Sequence, residues 1–242
     1  MAADQFRTRQ DIKPSLVVAV GYGTENSAEI LRRRWYDFSP TEPGKPELDG
    51  WRKSGLPLDR FGGAEAFRRF LVEELRPLVA RAYRIDPRDQ TLFGHSLGGL
   101  FATYVLLNHP ADFRTVAIAS PSLYWNADTV LAAEPAFRAQ VERGEAAPRI
   151  LLMAGGDESV VTRAPAPPGM SRTEIQAAIG LRRMVLNTIE LADRLREVKG
   201  GQGYEVGLMI FPDENHVSVV AGAISRAMTF AVGVRLPPPA KR

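Results

Sequence analysis

The chain has 242 residues, 45% hydrophobic and 24% charged, which is typical of one globular domain with a continuous core. Its 31 basic and 28 acidic residues leave a net charge of only +3, so the composition does not indicate nucleic-acid binding. The lack of cysteine excludes disulfides, a thiol nucleophile and cysteine-ligated metal, and we expect neither metal nor cofactor.

No apolar run approaches the roughly 20 residues that cross a bilayer, so no membrane insertion is expected. The first ten residues, MAADQFRTRQ, lack the apolar core of a signal peptide. The sequence as written therefore predicts a cytoplasmic protein.

The first predicted element is a strand at Ser15–Val20, a continuous run rich in β-branched valine that is typical of a strand buried in a parallel sheet. It leads into Gly21 and Tyr22, where we expect a loop on the ligand side. The stretch at about 24–60 is rich in proline and glycine after residue 39, so we predict a long loop facing the substrate. Arg34 lies among the aromatic residues of this stretch.

Strands and helices alternate through the rest of the chain. This alternation predicts an α/β fold, with a mostly parallel, doubly wound sheet and helices on both faces. In chain order, the predicted elements are a helix from Gly62, a strand at Gln90–Phe93, a helix at Gly98–His109, a strand at Arg114–Ala119, a helical stretch at Thr129–Val141, a strand at Arg149–Ala154, a helix at Arg172–Val198, a strand at Tyr204–Phe211 and a helix at Val219–Val232.

A Gly-x-Ser-x-Gly motif follows the predicted strand at Gln90–Phe93, with Gly94 and Gly98 two positions on either side of Ser96. A serine on a strained turn between strand and helix is exposed above the sheet, and small residues two positions away let strand and helix pass closely. The helix that begins near Leu97 directs unpaired N–H groups towards an oxyanion. A glycine-serine turn without chemistry is the alternative, but the flanking strand and helix favour a nucleophile.

A serine nucleophile needs a base, and the chain has three histidines. His95 lies inside the motif and is expected to point away from Ser96, and His109 closes a helix, so we interpret both as structural. His216 follows the last strand, where an α/β-hydrolase has its base.

The acid that would orient the base has two candidates. Asp157 and Glu158 follow the penultimate strand, and either satisfies the chain order serine, acid, histidine. The residues alone do not separate them. A serine-histidine dyad without the acid would retain considerable catalysis through its oxyanion hole.

The segments FGHSLGGLFATYVLL and HPADFRTVAIASPSLYW resemble the Putative esterase branch of the α/β-hydrolases, and within it the siderophore esterases that hydrolyse enterobactin-type trilactones. VVAVGYGT, RRRWYDFSP, FGGAEAFRRFLVEELRPLV and ENHVSVV are also similar, so the resemblance covers most of Ser15 to Arg226. It implies that Ser96 is the nucleophile, His216 the base and the Leu97 N–H an oxyanion donor. Glu158 falls at the acid position of relatives with a full triad, although some relatives work with a dyad.

The resemblance implies a serine carboxylic-ester hydrolase that forms an acyl-enzyme and acts on a siderophore-type ester or lactone. An acyltransferase on the same residues and a non-catalytic hydrolase-like protein are the alternatives. A ferric tris-catecholate is anionic and aromatic, so its site needs cations among aromatic surfaces. The candidate contacts are Gly21, Tyr22, Arg34, Tyr124 and Trp125. The alternative is that these aromatics pack the loops and that Arg34 pairs with Asp37.

One feature departs from the family. Only fourteen residues precede the Ser15–Val20 run, whereas the family has a further strand and helix there. In the usual strand order, that strand lies between Ser15–Val20 and the strand before Ser96. We therefore expect residues 1–242 to form a single, N-terminally incomplete domain, and an upstream signal peptide would make the protein periplasmic.

Overall fold

The computed structural model describes residues 12–44, 60–159 and 171–233. Four parallel strands form one sheet, and their order in the sheet is their order in the chain. The strands are β1 (Thr91–His95), β2 (Thr115–Ala119), β3 (Arg149–Gly155) and β4 (Glu205–Phe211).

Helices connect and flank these strands, which confirms the predicted α/β class. Among the described residues, no helix is both long and apolar enough to cross a membrane. The helices are α1 (Ser27–Phe38), α2 (Ala64–Arg69), α3 (Arg76–Ala82), α4 (Leu97–Asn108), α5 (Ala127–Leu131), α6 (Glu134–Glu142), α7 (Arg172–Arg182), α8 (Met184–Arg196) and α9 (Val219–Val232), with a π-helical segment at Phe70–Leu75 and a 3-10 helix at Gly156–Ser159.

The core lies on both faces of the sheet because neighbouring side chains of a strand point to opposite faces. In β2, Val116 and Ile118 pack into a large cluster with residues of α4 and α8. Ala117 and Ala119 face the other way and pack against α9. The carboxyl ends of all four parallel strands therefore meet at one edge of a sheet that is covered by helices on both sides.

The prediction of a strand at Ser15–Val20 is wrong. Residues 13–21 are exposed and have no strand assignment, and Val17 keeps 62% of its surface accessible. A strand needs a hydrogen-bonded neighbour about 4.8 Å away, and in the described part of the chain β1 pairs only with β2. The segment is held near one end by Lys13, whose N–H donates to the Val232 carbonyl at 2.9 Å.

The predicted loop at about 24–60 also needs correction, because its first part is the helix α1. The Asn26 side chain caps this helix by accepting hydrogen bonds from two main-chain N–H groups of the first turn. Leu31, Trp35 and Phe38 recur at helical spacing and pack onto the large core cluster. Residues 45–59 lie outside the described ranges.

Two predicted helices are each divided in two. The stretch Arg172–Val198 breaks at Arg183, which has a left-handed φ of 46° and therefore ends α7 before α8 begins. The stretch Thr129–Val141 forms α5 and α6. The helix α7 contacts the 3-10 helix that follows β3, at the same edge of the sheet as Ser96.

Candidate active site

Ser96 occupies the sharp turn between β1 and α4. Its φ of 61° and ψ of −119° place a non-glycine residue in a strained conformation, as expected for a nucleophile elbow. A Cβ added to Gly94 would come within 1.9 Å of the Gly98 carbonyl oxygen, so the strand and helix meet there with no space for a side chain. A Cβ on Gly98 would meet nothing within 4 Å, so only the first glycine of the motif is needed for this close approach.

The predicted nucleophile and base lie in direct contact. The Nε2 atom of His216 is 2.9 Å from the Ser96 Oγ atom, and the Nδ1 atom is 2.7 Å from Glu158 Oε2. These distances are within hydrogen-bond range, so Ser96, His216 and Glu158 form one continuous hydrogen-bonded chain. Of the two acid candidates, Glu158 contacts the base, whereas the Asp157 main-chain N–H donates to the Glu214 carbonyl at 3.0 Å.

Glu158 is fixed from several directions. Its side chain is only 1% exposed. Its Oε1 atom accepts hydrogen bonds from the Ser120 hydroxyl and from the Gly155 N–H, at 2.5 and 2.7 Å. Burial alone raises the pKa of a carboxyl, but the hydrogen bonds from His216, Ser120 and Gly155 outweigh it and lower the pKa of Glu158. The carboxylate is therefore ionised and oriented at neutral pH.

Close packing between two loops brings the acid and the base together. A Cβ on Gly155, at the end of β3, would lie 2.3 Å from the Glu214 carbonyl oxygen in the loop after β4. The Asn215 side chain accepts hydrogen bonds from the N–H groups of Val217 and Ser218, which fixes the turn around His216. The backbone thus sets the distance between Glu158 and His216.

The other two histidines differ in position. His109 lies at the far end of α4, where its Nε2 atom is 2.9 Å from a Glu65 carboxylate oxygen. His95 instead lies beside the base, with its ring centroid 4.7 Å from that of His216. Sequence reasoning missed this contact, and it also missed the Ser120 bond to Glu158, because both depend on how separate strand ends meet.

The oxyanion side of the site is the start of α4. The Leu97 N–H belongs to the first turn, where main-chain N–H groups lack partners inside the helix. The Ser96 N–H, by contrast, donates to the Ala119 carbonyl at 3.0 Å. Within the described ranges, no three His, Asp or Glu side chains come together as a possible metal site.

One predicted substrate contact is wrong. Trp125 is fully buried, with its ring centroid 5.3 Å from that of Trp35 and 5.8 Å from that of Phe61. Its indole N–H donates to the Thr41 carbonyl at 3.0 Å. Because Trp125 belongs to the core under α1, it presents no surface to a ligand. The alternative, that these aromatics pack the loops, holds for this residue.

The neighbouring Tyr124 is only partly buried, and the guanidinium carbon of Arg182 lies 5.2 Å from its ring centroid. Arg182 ends α7, the helix beside the 3-10 helix that carries Glu158. Tyr124 also lies two residues after Ser122, whose N–H donates to the Ser96 carbonyl. Both the ring and the cation are therefore attached to elements that contact the triad region, Tyr124 through the turn at Ser122 and Arg182 through α7.

The predicted contacts before α1 are more exposed. The Tyr22 hydroxyl donates to Asp37 at 3.0 Å, and burial together with this carboxylate raises the pKa of Tyr22. The Asp37 carboxylate therefore has the Tyr22 hydroxyl as a hydrogen-bond partner. The Arg34 guanidinium carbon lies 5.8 Å from the ring centroid of Phe38, and its positive charge helps to lower the pKa of His95. Gly21 is exposed, and a Cβ there would meet nothing within 4 Å.

A separate cavity of about 390 Å³ lies on the outer face of α1. The Arg60 guanidinium carbon lies 4.6 Å from the ring centroid of Tyr36, and Arg33 pairs with Glu29. The triad residues are not part of its lining, which consists of Asn26, Ala28, Glu29, Arg32, Arg33, Tyr36, Asp37 and Arg60.

Comparison with known proteins agrees with the fold and with the class of site. The profile of the family described as Putative esterase matches residues 7–198. The ferri-bacillibactin esterase BesA of Bacillus subtilis is 34% identical over 90% of this chain and 68% of its own length. The siderophore enterobactin esterase of Emericella nidulans is 31% identical over 95% of this chain and 77% of its own length.

Solved structures show the same relation. The siderophore hydrolase EstA of Aspergillus nidulans superposes with a TM-score of 0.75 and 29% identity, over 94% of this chain and 74% of that one. The BES protein of Bacillus cereus superposes with a TM-score of 0.70 and 30% identity, over 92% and 72%. The fold is that of an α/β-hydrolase, and the protein is a carboxylic-ester hydrolase. The chain belongs to the Putative esterase family, and within it is most similar to siderophore esterases.

Proposed function

We propose that this enzyme cleaves its ester through an acyl-enzyme on Ser96. His216 Nε2 accepts the hydroxyl proton as Ser96 Oγ attacks the ester carbonyl carbon, and Glu158 stabilises the resulting imidazolium. The Leu97 N–H donates to the oxyanion. When the tetrahedral intermediate collapses, the leaving alcohol takes the proton from His216. Water then attacks the acyl-enzyme with His216 again as base, which releases the acid and restores the serine.

The observation that carries this proposal is the continuous hydrogen-bonded chain from Ser96 through His216 to Glu158. A fluorophosphonate should label the wild-type protein once, on Ser96, as read by mass spectrometry. The Ser96→Ala variant should take no label and should hydrolyse p-nitrophenyl acetate about 10⁴-fold more slowly or worse. Retention of more than about a tenth of the wild-type rate would exclude Ser96 as the nucleophile.

The acid can be tested with a matched pair of variants. Glu158→Gln should lower kcat by about 10³- to 10⁴-fold, because it removes the charge that holds the His216 tautomer. Asp157→Asn should change kcat by no more than a few-fold, because the contact of Asp157 with this loop is made by its main chain. The reverse order of effects would assign the role to Asp157.

For the substrate, we propose a siderophore-type ester or lactone with anionic aromatic arms. The names of the two relatives, a ferri-bacillibactin esterase and a siderophore enterobactin esterase, support a siderophore ester as the substrate. Two arginines near the triad could attract such arms: Arg34, whose charge reaches His95, and Arg182, which stacks on Tyr124.

Arg34→Ala should raise the KM for an anionic catecholate trilactone by about tenfold, the equivalent of 1.4 kcal/mol, and leave p-nitrophenyl acetate nearly unchanged. Arg33→Ala on the outer face of α1 is the control and should affect neither substrate, because Arg33 pairs with Glu29. Equal losses on both substrates would show that Arg34 has a structural role.

The acyltransferase alternative has its own test. When an alcohol is added, water should remain the acceptor of the acyl group. If the ester of the added alcohol were the main product, the protein would be an acyltransferase.

A further inference from the structure

His95 is a buried titratable side chain beside the triad that the proposed mechanism does not use. It is the residue before Ser96, at the end of β1, and its ring is tilted by 39° against the ring of His216, with the centroids 4.7 Å apart. The His95 ring also interacts with the main chain of His216, which acts to raise the pKa of His95. One side chain therefore contacts both the ring and the backbone of the base.

Stability alone does not explain a histidine here. The Nε2 atom of His95 is buried and has no hydrogen-bond partner in the part of the chain that the structure describes. A buried polar atom without a partner costs about 1–3 kcal/mol. An apolar ring of similar size would avoid this cost and would still pack against the neighbouring side chains. The imidazole therefore has to be explained by something it does for the site.

Burial, together with nearby positive charge, keeps this imidazole neutral. Burial and the positive charge of a protonated His216 lower the pKa of His95 to about 4, and the charge of Arg34 on α1 adds to this effect. Glu158, after β3, acts in the opposite direction but does not outweigh them. During catalysis His216 becomes an imidazolium, and a neutral neighbour can stay packed against it, whereas a second cation would be repelled.

We propose that His95 is a positioning residue that holds the His216 ring in the orientation at which Nε2 meets Ser96 and Nδ1 meets Glu158. The His216 side chain is 41% exposed, so solvent leaves it free to move on one side. His95 supports it from within the protein through the contact between the two rings, and its interaction with the main chain of His216 adds to this support. This inference rests on the proposed function, because it assigns His95 a role through His216.

The test compares His95→Phe and His95→Gln with His109→Phe as the control histidine. His95→Phe should keep or raise the Tm, because it removes the buried atom without a partner. It should lower kcat for p-nitrophenyl acetate by about 10- to 100-fold, the cost of a misplaced catalytic group, and leave KM within about twofold. His95→Gln, whose amide can donate to the main chain, should recover part of kcat. His109→Phe should lower the Tm, because it breaks the contact with Glu65, and should leave kcat unchanged.

A second measurement separates positioning from folding. Fluorophosphonate titration counts folded active sites, so kcat is expressed per labelled Ser96. The proton NMR signal of the His216 to Glu158 hydrogen bond should broaden in His95→Phe and remain sharp in His109→Phe. The proposal is overturned if kcat per active site in His95→Phe stays within twofold of wild type, or if both His95 variants lose only active sites. Activity in Ser96→Ala would contradict the proposed function itself, whereas an unchanged kcat in His95→Phe would contradict only the role of His95. The two outcomes are therefore distinguishable.

Discussion

Two similar runs of this sequence have opposite fates in the structure. Ser15–Val20 and Thr115–Ala119 are both continuous apolar runs rich in β-branched residues. The second is β2, paired on both sides, and its Val116 is only 2% exposed. The first forms no strand, and its Val17 is 62% exposed. A β-branched run therefore indicates the capacity to form a strand, whereas hydrogen-bonded neighbours decide whether the strand forms.

The difference extends to the active site. Ser96, Glu158 and His216 each follow a strand of the paired sheet, and the register of β1, β3 and β4 fixes where these strands end. Gly21 and Tyr22 follow the exposed run instead. The residues assigned to the triad are therefore fixed by the sheet, whereas those assigned to the substrate before α1 are fixed by side-chain contacts such as that of Tyr22 with Asp37.

The largest effect in the paired region is expected at the elbow. Gly94→Ala would place a Cβ within 1.9 Å of the Gly98 carbonyl oxygen, a backbone atom that cannot move away. We expect loss of cooperative folding, read by thermal melting and circular dichroism. Gly98→Ala is the matched control and should melt within a few degrees of wild type, because its Cβ meets nothing within 4 Å. If the two variants had equal effects on the Tm, the strand and the helix would not approach as closely at Gly94 as the structure shows.

A smaller effect is expected at Ser120, which is buried and donates to Glu158. Ser120→Ala should cost about 1.5–3 kcal/mol of unfolding free energy at pH 7, the range for hydrogen bonds to charged groups. The pKa of Glu158 is lower in the folded state than its ordinary 4.5. The ionised carboxylate therefore stabilises the folded protein above pH 4.5, and this stabilisation is lost as the pH falls through the folded pKa.

Urea unfolding of wild type and Ser120→Ala should therefore give a difference that narrows from pH 7 towards pH 3. A difference that stayed constant with pH would mean that the serine acts through packing and not through the carboxylate.

The smallest effect is expected in the exposed run. Val116→Thr should lower the free energy of unfolding by about 1–3 kcal/mol, because it buries a hydroxyl in an apolar cluster. Val17→Thr should change it by no more than about 0.5 kcal/mol. If Val17→Thr were as costly as Val116→Thr, the run would be covered in solution.

A hydrophobic dye should bind wild type at the exposed run. It should bind the Leu16→Gln, Val18→Thr double variant less, with no change in Tm.

Much of the paired region could be predicted from sequence because its signals are local. Alternating apolar strands and amphipathic helices gave the α/β class, and β4 and α9 were placed within one residue of the observed bounds. The helix α1 was missed, because the proline- and glycine-rich residues that follow it dominated the interpretation. The long helix was predicted to pass through Arg183, since a positive φ at an arginine has no signature in the sequence.

The sequence by itself determined the candidates for the chemistry, because an elbow serine and a histidine after the last strand are recognisable from the residues on either side of them. It could not choose between Asp157 and Glu158, which differ by one position in the same turn. It placed Trp125 at the substrate, and it interpreted His95 as a structural residue that points away from Ser96. Only the tertiary structure decided these points. The choice of Glu158 and the position of His95 depend on which side chains meet when the ends of three strands, far apart in the chain, are held at one edge of the sheet. The burial of Trp125 depends on the packing of α1 against the same core.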